Sequence, residues 1–544
     1  MKKEYDSIVI GSGIGGLSTA ALLSKAYNQK VLVLEKHWTL GGLTHEFERE
    51  GNYSWDVGVH YLGAMEAGEL PYDIFDYISD GQLKWDKIND PYDIFWYPDL
   101  KFGAVSGAKN LKADLIKQFP EEQKAINQYF KDIQKAVNWG RDRFLSISLP
   151  KPVASIPKFL AKRKEDFFLQ SAQSYFDSHF KNNQLKSLLL SQWGDYGIAP
   201  SKAVFWVHAS VVAHYMEGAY YPKGGAKKIA ETIVPVIKRS GGECLTNCEV
   251  GEIIIEDNKA VGVRYRQRKG KRWVHRTVYA SNIISNVGAK NTFQSLLRAP
   301  IHPEINQLKG EATAITIYLG LKENPASKFN VNGGNFWFFE DYNHNKMATN
   351  QELINGNIDM CFLSFPSLKD RSKTAHTAEI VAFAPYEAFQ AWSDTSWQNR
   401  GESYQTLKNK IATAFLAYID KKLEGFSDMV SFVEVSTPLS LEQFTNRKGG
   451  AMYGLPCTKE RFQMECLQPR TSIKNLYLSG GDVFMLGVCG ALLGGLASAS
   501  LVGSKFGIAS LFPKIMMELK KQRGANHKEG ATTKKGIPKL ETSY

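Results

Sequence analysis

The stretch from Tyr5 to Gly16, YDSIVIGSGIGG, limits what this chain can fold into more than any other part of it. An apolar run from Ser7 to Ile10 stops at Gly11, and small, helix-tolerant residues follow from Leu17 to Leu23. That is the order strand, tight turn, helix. Gly11 permits the turn, Gly13 lets backbone approach a pyrophosphate, and Gly16 lets the helix pack close to the strand. The phosphates would sit at the helix N-terminus, where free N–H groups and the dipole favour anions. A second strand, Val31 to Leu34, ends at Glu35, about 20 residues past the glycines, where a carboxylate accepts ribose hydroxyls and repels a 2′-phosphate. The motif alone leaves NAD and FAD open.

The segment after Glu35 favours FAD. A second glycine pair, Gly41-Gly42, leads into a polar and aromatic stretch ending at His60, Tyr61 and Gly63, which suits a ligand that continues past its pyrophosphate. At these residues the chain resembles the phytoene desaturase-like flavoproteins, most closely the branch with retinol saturase and plant carotenoid isomerase. The glycine motif, Gly41-Gly42 and DVGVHYLGAM (Asp56 to Met65) carry the resemblance. HYMEGAYYPKGGAKKIA (His214 to Ala230) and LYLSGGDVFMLGVCGALLGG (Leu476 to Gly495) extend it over nearly the whole chain.

The resemblance implies an α/β fold, a Rossmann-like FAD-binding domain (GR2-type) with an interleaved α+β substrate domain of mixed sheet and helices. The FAD domain is expected from 1–75, 215–300 and 470–510, and the substrate and membrane-docking domain from 76–214 and 301–469. A basic tail is expected over 511–544. Implied FAD contacts are Gly11, Ser12, Gly13, Gly15, Gly16, Glu35, Lys36, Gly41, Gly42, Thr44, His60, Val250 beside the adenine, Asn286, Gly481 and Asp482.

At 544 residues the chain is too long for one ordinary core and suits two packed domains. The six cysteines are scattered without a CxxC pair, so neither a zinc site nor a disulfide framework is expected; no metal is assigned, and the cytoplasmic side is the default. No secretory signal is read at the start, because the early apolar stretch is the glycine motif itself. Half of the +12 net charge falls between Lys505 and Tyr544, where nine Lys or Arg stand against three Glu. No nucleic-acid recognition motif accompanies this charge. The alternatives are a solvated tail and attraction to an anionic membrane surface, which would make the protein peripherally membrane-associated.

From Ala108 to Ser191 apolar residues recur at helical steps, interrupted by LPKPVASIPKFLAKRKEDFF (Leu149 to Phe168). That segment reads either as a surface loop or as an interfacial patch beside a substrate entrance. His208 and His214, six apart, do not share a helix face, and His208 reads as a hydrogen-bonded core histidine. Strands are expected on either side of Asp257-Asn258, within Trp273 to Gly288, and in AITIYLGL, NFWFF, IDMCFLSF, EIVAFAPY and MVSFV, with one helix from Ser403 to Leu423. Val483 to Ser504 is uncharged and long enough to span a bilayer, but its glycines and its place after a Gly-Gly-Asp turn favour a helix buried against the nucleotide-binding sheet.

FAD would supply the chemistry and the protein would position the substrate, a hydrophobic polyene or related lipid. His60, Tyr61, Tyr220 and Tyr221 are the candidate proton donors, although an aromatic wall and a backbone-bonded histidine account for them equally well. No second dinucleotide motif is present, which leaves a transient NAD(P)H, a protein carrier or a quinone as redox partner. The expected function is FAD-dependent saturation, desaturation or isomerisation of carbon–carbon double bonds. The alternatives are a flavin amine oxidase and a flavin-bearing protein that binds lipid without turning it over.

Overall fold

In the computed structural model, residues 4–310 and 313–533 are described, the last nine of them by backbone alone. Strand β1 (Tyr5–Ile10) runs parallel to β2 (Val31–Leu34), joined by helix α1 (Ile14–Tyr27). Val9, Val31 and Val33 enter one core, while Ile8, Ile10, Leu32 and Leu34 enter the core on the other face. A parallel strand buried on both sides must be apolar at every position, which explains the unbroken apolar runs.

The sheet has seven strands. Glu243–Leu245 lies beyond β2; Arg272–Ser285 lies on the other side of β1 and pairs in parallel with Leu476–Leu478. The hairpin Cys248–Glu256 and Lys259–Lys269 extends it, turning at Asp257 and Asn258 with φ of 47° and 57°. Three distant parts of the chain therefore build one nucleotide-binding sheet.

Helix Gly487–Gly503 crosses α1 so closely that a Cβ on Gly495 would overlap Ser18 Oγ. The uncharged segment from Val483 thus forms a buried helix. Among the described residues no single helix is long and apolar enough to cross a membrane, and the bent pair Gly487–Gly503 and Ile508–Gly524 turns by 111°. Leu492, Leu496, Leu511 and Ile515 from that pair are buried in the domain core.

The expected tail from 511 is corrected in part. Helix Ile508–Thr533 begins before it and buries Ile508, Leu511, Ile515 and Leu519 along one face. Arg523 pairs with Asp73, and Lys25 with Glu518. The remainder of the expected tail, 534–544, lies outside the described residues.

The second sheet also has seven strands, in the order Val430–Ser436, Ala314–Leu321, His376–Phe383, Met360–Ser364, Asn335–Phe339, Asp93–Trp96, Lys101–Ala104. Only the Asn335–Phe339 and Asp93–Trp96 pair is parallel. Ile315, Ile317 and Leu319 face a core shared with Phe415 of helix Glu402–Lys422. The alternate residues Ala314, Thr316 and Tyr318 face the cavity between the domains. Period-two alternation thus gives one face to the core and the other to the ligand.

The segment read as a loop or patch is helical, Lys151–Arg163 followed by Glu165–Phe168. Pro152 sits in the first turn, where a missing N–H costs nothing, and Pro157 is accommodated within the helix. All six cysteines are free.

Candidate active site

A cavity of about 1180 Å³ runs from the C-terminal ends of β1 and β2 to the inner face of the second sheet. At its nucleotide end, Gly11 has φ +90°, which favours glycine, and its N–H donates to Leu34 O at 2.8 Å. A Cβ on Gly16 would overlap Gly11 O, so this glycine serves helix–strand packing and does not face the cavity. A Cβ on Gly13 would meet only Asn286 Nδ2, at 3.1 Å, and the rest of its open face looks into the cavity. Gly13 has no side-chain cap on the helix, so first-turn N–H groups remain for an anion.

Glu35 lines the cavity with both oxygens already oriented. Its Oε2 accepts from Ser12 N at 2.8 Å and Ser12 Oγ at 2.7 Å, and Oε1 accepts from His37 N at 2.8 Å. Ser12 is fully buried and off the cavity, which makes it the residue that positions Glu35 and not a direct contact. Lys36, Gly41, Gly42, Thr44, Val250, Asn286, Gly481 and Asp482 all line the cavity, as do Gly11, Gly13 and Gly15. Gly42 packs so close that a Cβ would lie 2.8 Å from Gly13 Cα, which joins the two glycine loops into one cradle. Asp482 accepts from Ala289 N at 2.8 Å, and the buried Arg461 donates to Gly481 O. These residues fit FAD: a glycine cradle at a helix start, a ribose acceptor, and a long cavity continuing beyond them.

At the other end His60 and Tyr61 reach the cavity, whereas Tyr220 and Tyr221 do not. The Tyr220 hydroxyl donates to Glu66, and its backbone exchanges hydrogen bonds with Leu62 at 2.7 and 2.8 Å. The Tyr221 hydroxyl lies 2.7 and 2.8 Å from the two oxygens of buried Asp56. Both tyrosines are therefore supports for the 56–62 segment, and their assignment as proton donors is corrected. His208 is buried against the Tyr129 hydroxyl at 2.8 Å, and His214 Nε2 accepts from Gly63 N at 2.8 Å.

Sequence reasoning missed a buried charged cluster behind His60 and Tyr61. Lys369 Nζ donates to His60 O (2.7 Å), Asn335 Oδ1 (2.6 Å) and Ser364 Oγ (2.7 Å). Glu379 Oε1 accepts from Asp56 N at 2.8 Å. His60 Nδ1 and Glu379 Oε2 are 2.9 Å apart but misaligned for a hydrogen bond, so the pair is an ionic contact at most. Burial and then the Glu379 carboxylate push Asp56 well above the usual carboxylate range, while burial lowers Lys369 to about 8. The Tyr61 hydroxyl donates to Asp93 Oδ2 at 2.9 Å and lies 3.4 Å from Asp195 Oδ2. Glu379, a charge inside the apolar strand run EIVAF, was the one signal in the sequence that pointed here.

Fold and site define a dinucleotide-binding oxidoreductase with a second, mixed sheet. Residues 9–78 match the NAD(P)-binding Rossmann-like domain family, and residues 216–308 match GMC oxidoreductase. The chain is 32% identical to all-trans-retinol 13,14-reductase of Danio rerio, over 92% of this chain and 86% of that protein. It is 26% identical to the chloroplastic prolycopene isomerase of Daucus carota, over 94% of this chain and 82% of that one. A putrescine oxidase structure superposes with a TM-score of 0.58 at 13% identity, covering 92% of this chain and 98% of that one; at such identity the likeness concerns the fold alone. The chain belongs to the all-trans-retinol 13,14-reductase family and is an FAD-dependent oxidoreductase.

Proposed function

We propose that the protein binds FAD in the glycine cradle and saturates or isomerises a double bond of a retinoid- or carotenoid-like polyene. The observation that carries this reading is one continuous cavity with a nucleotide cradle at one end and Tyr61, Trp337 and Phe362 at the other. FAD, when bound, supplies hydride chemistry at its ring. The chain's own residues hold the pyrophosphate at the start of α1, orient the ribose through Glu35, and wall the substrate away from water with aromatic rings. Tyr61 is fixed for this by stacking on Tyr215, with centroids 4.6 Å apart.

The test is incubation of the FAD-loaded protein with all-trans-retinol and, separately, with prolycopene, in the presence and absence of dithionite. Saturation adds two hydrogens to the product mass; isomerisation leaves the mass unchanged and alters retention. No product from either polyene, together with flavin reduction by simple amines, would favour the amine oxidase alternative. Unchanged lipid under every condition would favour a binding protein.

We further propose that the protein docks on an anionic membrane surface to collect its substrate. Helix Lys151–Arg163 leaves Ile156 67% and Phe159 63% exposed among Lys151, Lys158 and Lys162, and Phe506 is 58% exposed. A Cβ on Gly507, next to Phe506, would lie 3.3 Å from Leu149 Cα, so the two apolar stretches adjoin. Apolar side chains entering the interface beside lysines bind anionic bilayers in a salt-dependent way. Ile156→Asp with Phe159→Asp should abolish co-sedimentation with phosphatidylserine vesicles at low salt; retained binding would remove this surface from consideration.

A further inference from the structure

Saturating a double bond needs a hydride on one carbon and a proton on its neighbour, and the chain must supply that proton. The inference rests on the polyene reading above. Asp195, at the end of the short helix Ser191–Asp195, lines the cavity together with Tyr61. Tyr61 bridges Asp195, at 3.4 Å, to Asp93, at 2.9 Å. Asp93 is fully buried and also accepts from Asn335 Nδ2 at 3.0 Å. A phenol can accept one proton while donating another, so the three groups form a chain leading from the interior to the cavity.

We propose that Asp195 is the proton donor to the polyene and is recharged through Tyr61 from Asp93. The Asp195 O–H bond breaks as a C–H bond forms, while hydride from the reduced flavin forms the second C–H bond and the π bond is lost. The substrate is reduced, the flavin is oxidised, and Asp195 is left as a carboxylate. The Tyr61 proton then passes to Asp195 and the Asp93 proton to Tyr61, leaving Asp93 as a carboxylate that must take a proton originating in water before the next turnover. An external two-electron donor, dithionite in the test, restores the flavin.

The surroundings favour a proton held at this place. Burial, then the neighbouring Asp93, raise Asp195 well above the usual carboxylate range, and burial raises Asp93 to about 7. Tyr215, Tyr453 and Tyr196 face Asp195 from their own segments, all uncharged at neutral pH, with burial raising each. Lys369 acts on Asp93 and lies 5.7 Å from the Tyr61 ring centre. Two carboxyls sharing one small site cannot both ionise, so a neutral acid stands beside the substrate.

The experiment uses the full FAD-loaded chain. Infrared difference spectra of wild type against Asp195→Asn at neutral pH should show a protonated carboxyl band that shifts in D2O and is missing in the variant. With dithionite and all-trans-retinol, Asp195→Asn should lose roughly 10²–10⁴-fold in kcat with KM and FAD content retained. Tyr61→Phe should slow recharging and move the pH profile, and it carries the test if Asp195→Asn fails to hold FAD. Absence of the infrared band, or variants that keep wild-type kcat and pH profile, would overturn the proposal. No turnover by wild type would instead count against the polyene reading, while the infrared band still decides whether Asp195 holds a proton.

Discussion

The two ends of the cavity are built by different means. The nucleotide end comes mostly from backbone: Gly11, Gly13, Gly41 and Gly42 lie within a short stretch and meet through main-chain approach. The far end comes from side chains, with Tyr61, Asp93, Asp195, Lys369 and Glu379 drawn from across the chain. A backbone cradle needs residue types at fixed spacing, whereas a side-chain cluster needs only that the fold bring its members together. The first is written locally, and the second is a consequence of packing.

Substitutions can break that comparison, and the largest effect is expected at the cradle. Gly13→Val should abolish FAD binding while leaving the fold intact, because its side chain would enter cavity space and only Asn286 Nδ2 is near. Loss of thermal stability in the FAD-free protein would show that Gly13 also serves packing. At the other end, Lys369→Met should destabilise by roughly 1–3 kcal/mol, since the buried acceptors His60 O, Asn335 Oδ1 and Ser364 Oγ lose their donor. Chemical denaturation checks this, and a cost under about 0.5 kcal/mol would mean that these acceptors find other donors.

Asp93 sharpens the contrast through pH. Its folded value is raised from 3.8 to about 7, so between those values the native state holds a proton that the unfolded chain releases. Stability is then fully present below the unfolded value and falls as pH rises through the window, by about 1.4 kcal/mol per pH unit at most. Asp93→Asn should flatten that fall in a series of melts; an unchanged slope would reassign the proton to another acid. The smallest effect is expected at Glu35→Ala, which should weaken FAD by roughly 1.5–3 kcal/mol. Unchanged affinity on titration would show that the ribose is held elsewhere.

Much of this architecture could be read from residue order. Strand, glycines, helix and Glu35 come in succession because a parallel strand buried on both faces and a phosphate cradle each demand particular residue types in sequence. Tyr220 and Tyr221 looked equally suited to the active site, yet their hydroxyls turn to Glu66 and Asp56, a choice made by contacts far along the chain. The pentapeptide PYDIF shows the limit most directly. From Pro71 it lies in helix Leu70–Ile78, and from Pro91 it enters strand Asp93–Trp96. Pro98 after the second copy disfavours helix there, a local signal. What each aspartate does was decided only in three dimensions: Asp73 pairs with Arg523, and Asp93 meets Asn335 and Tyr61. Residue types and their spacing specify backbone geometry over one or two turns, but the partner of a buried charge is set by whichever distant strand the fold lays against it.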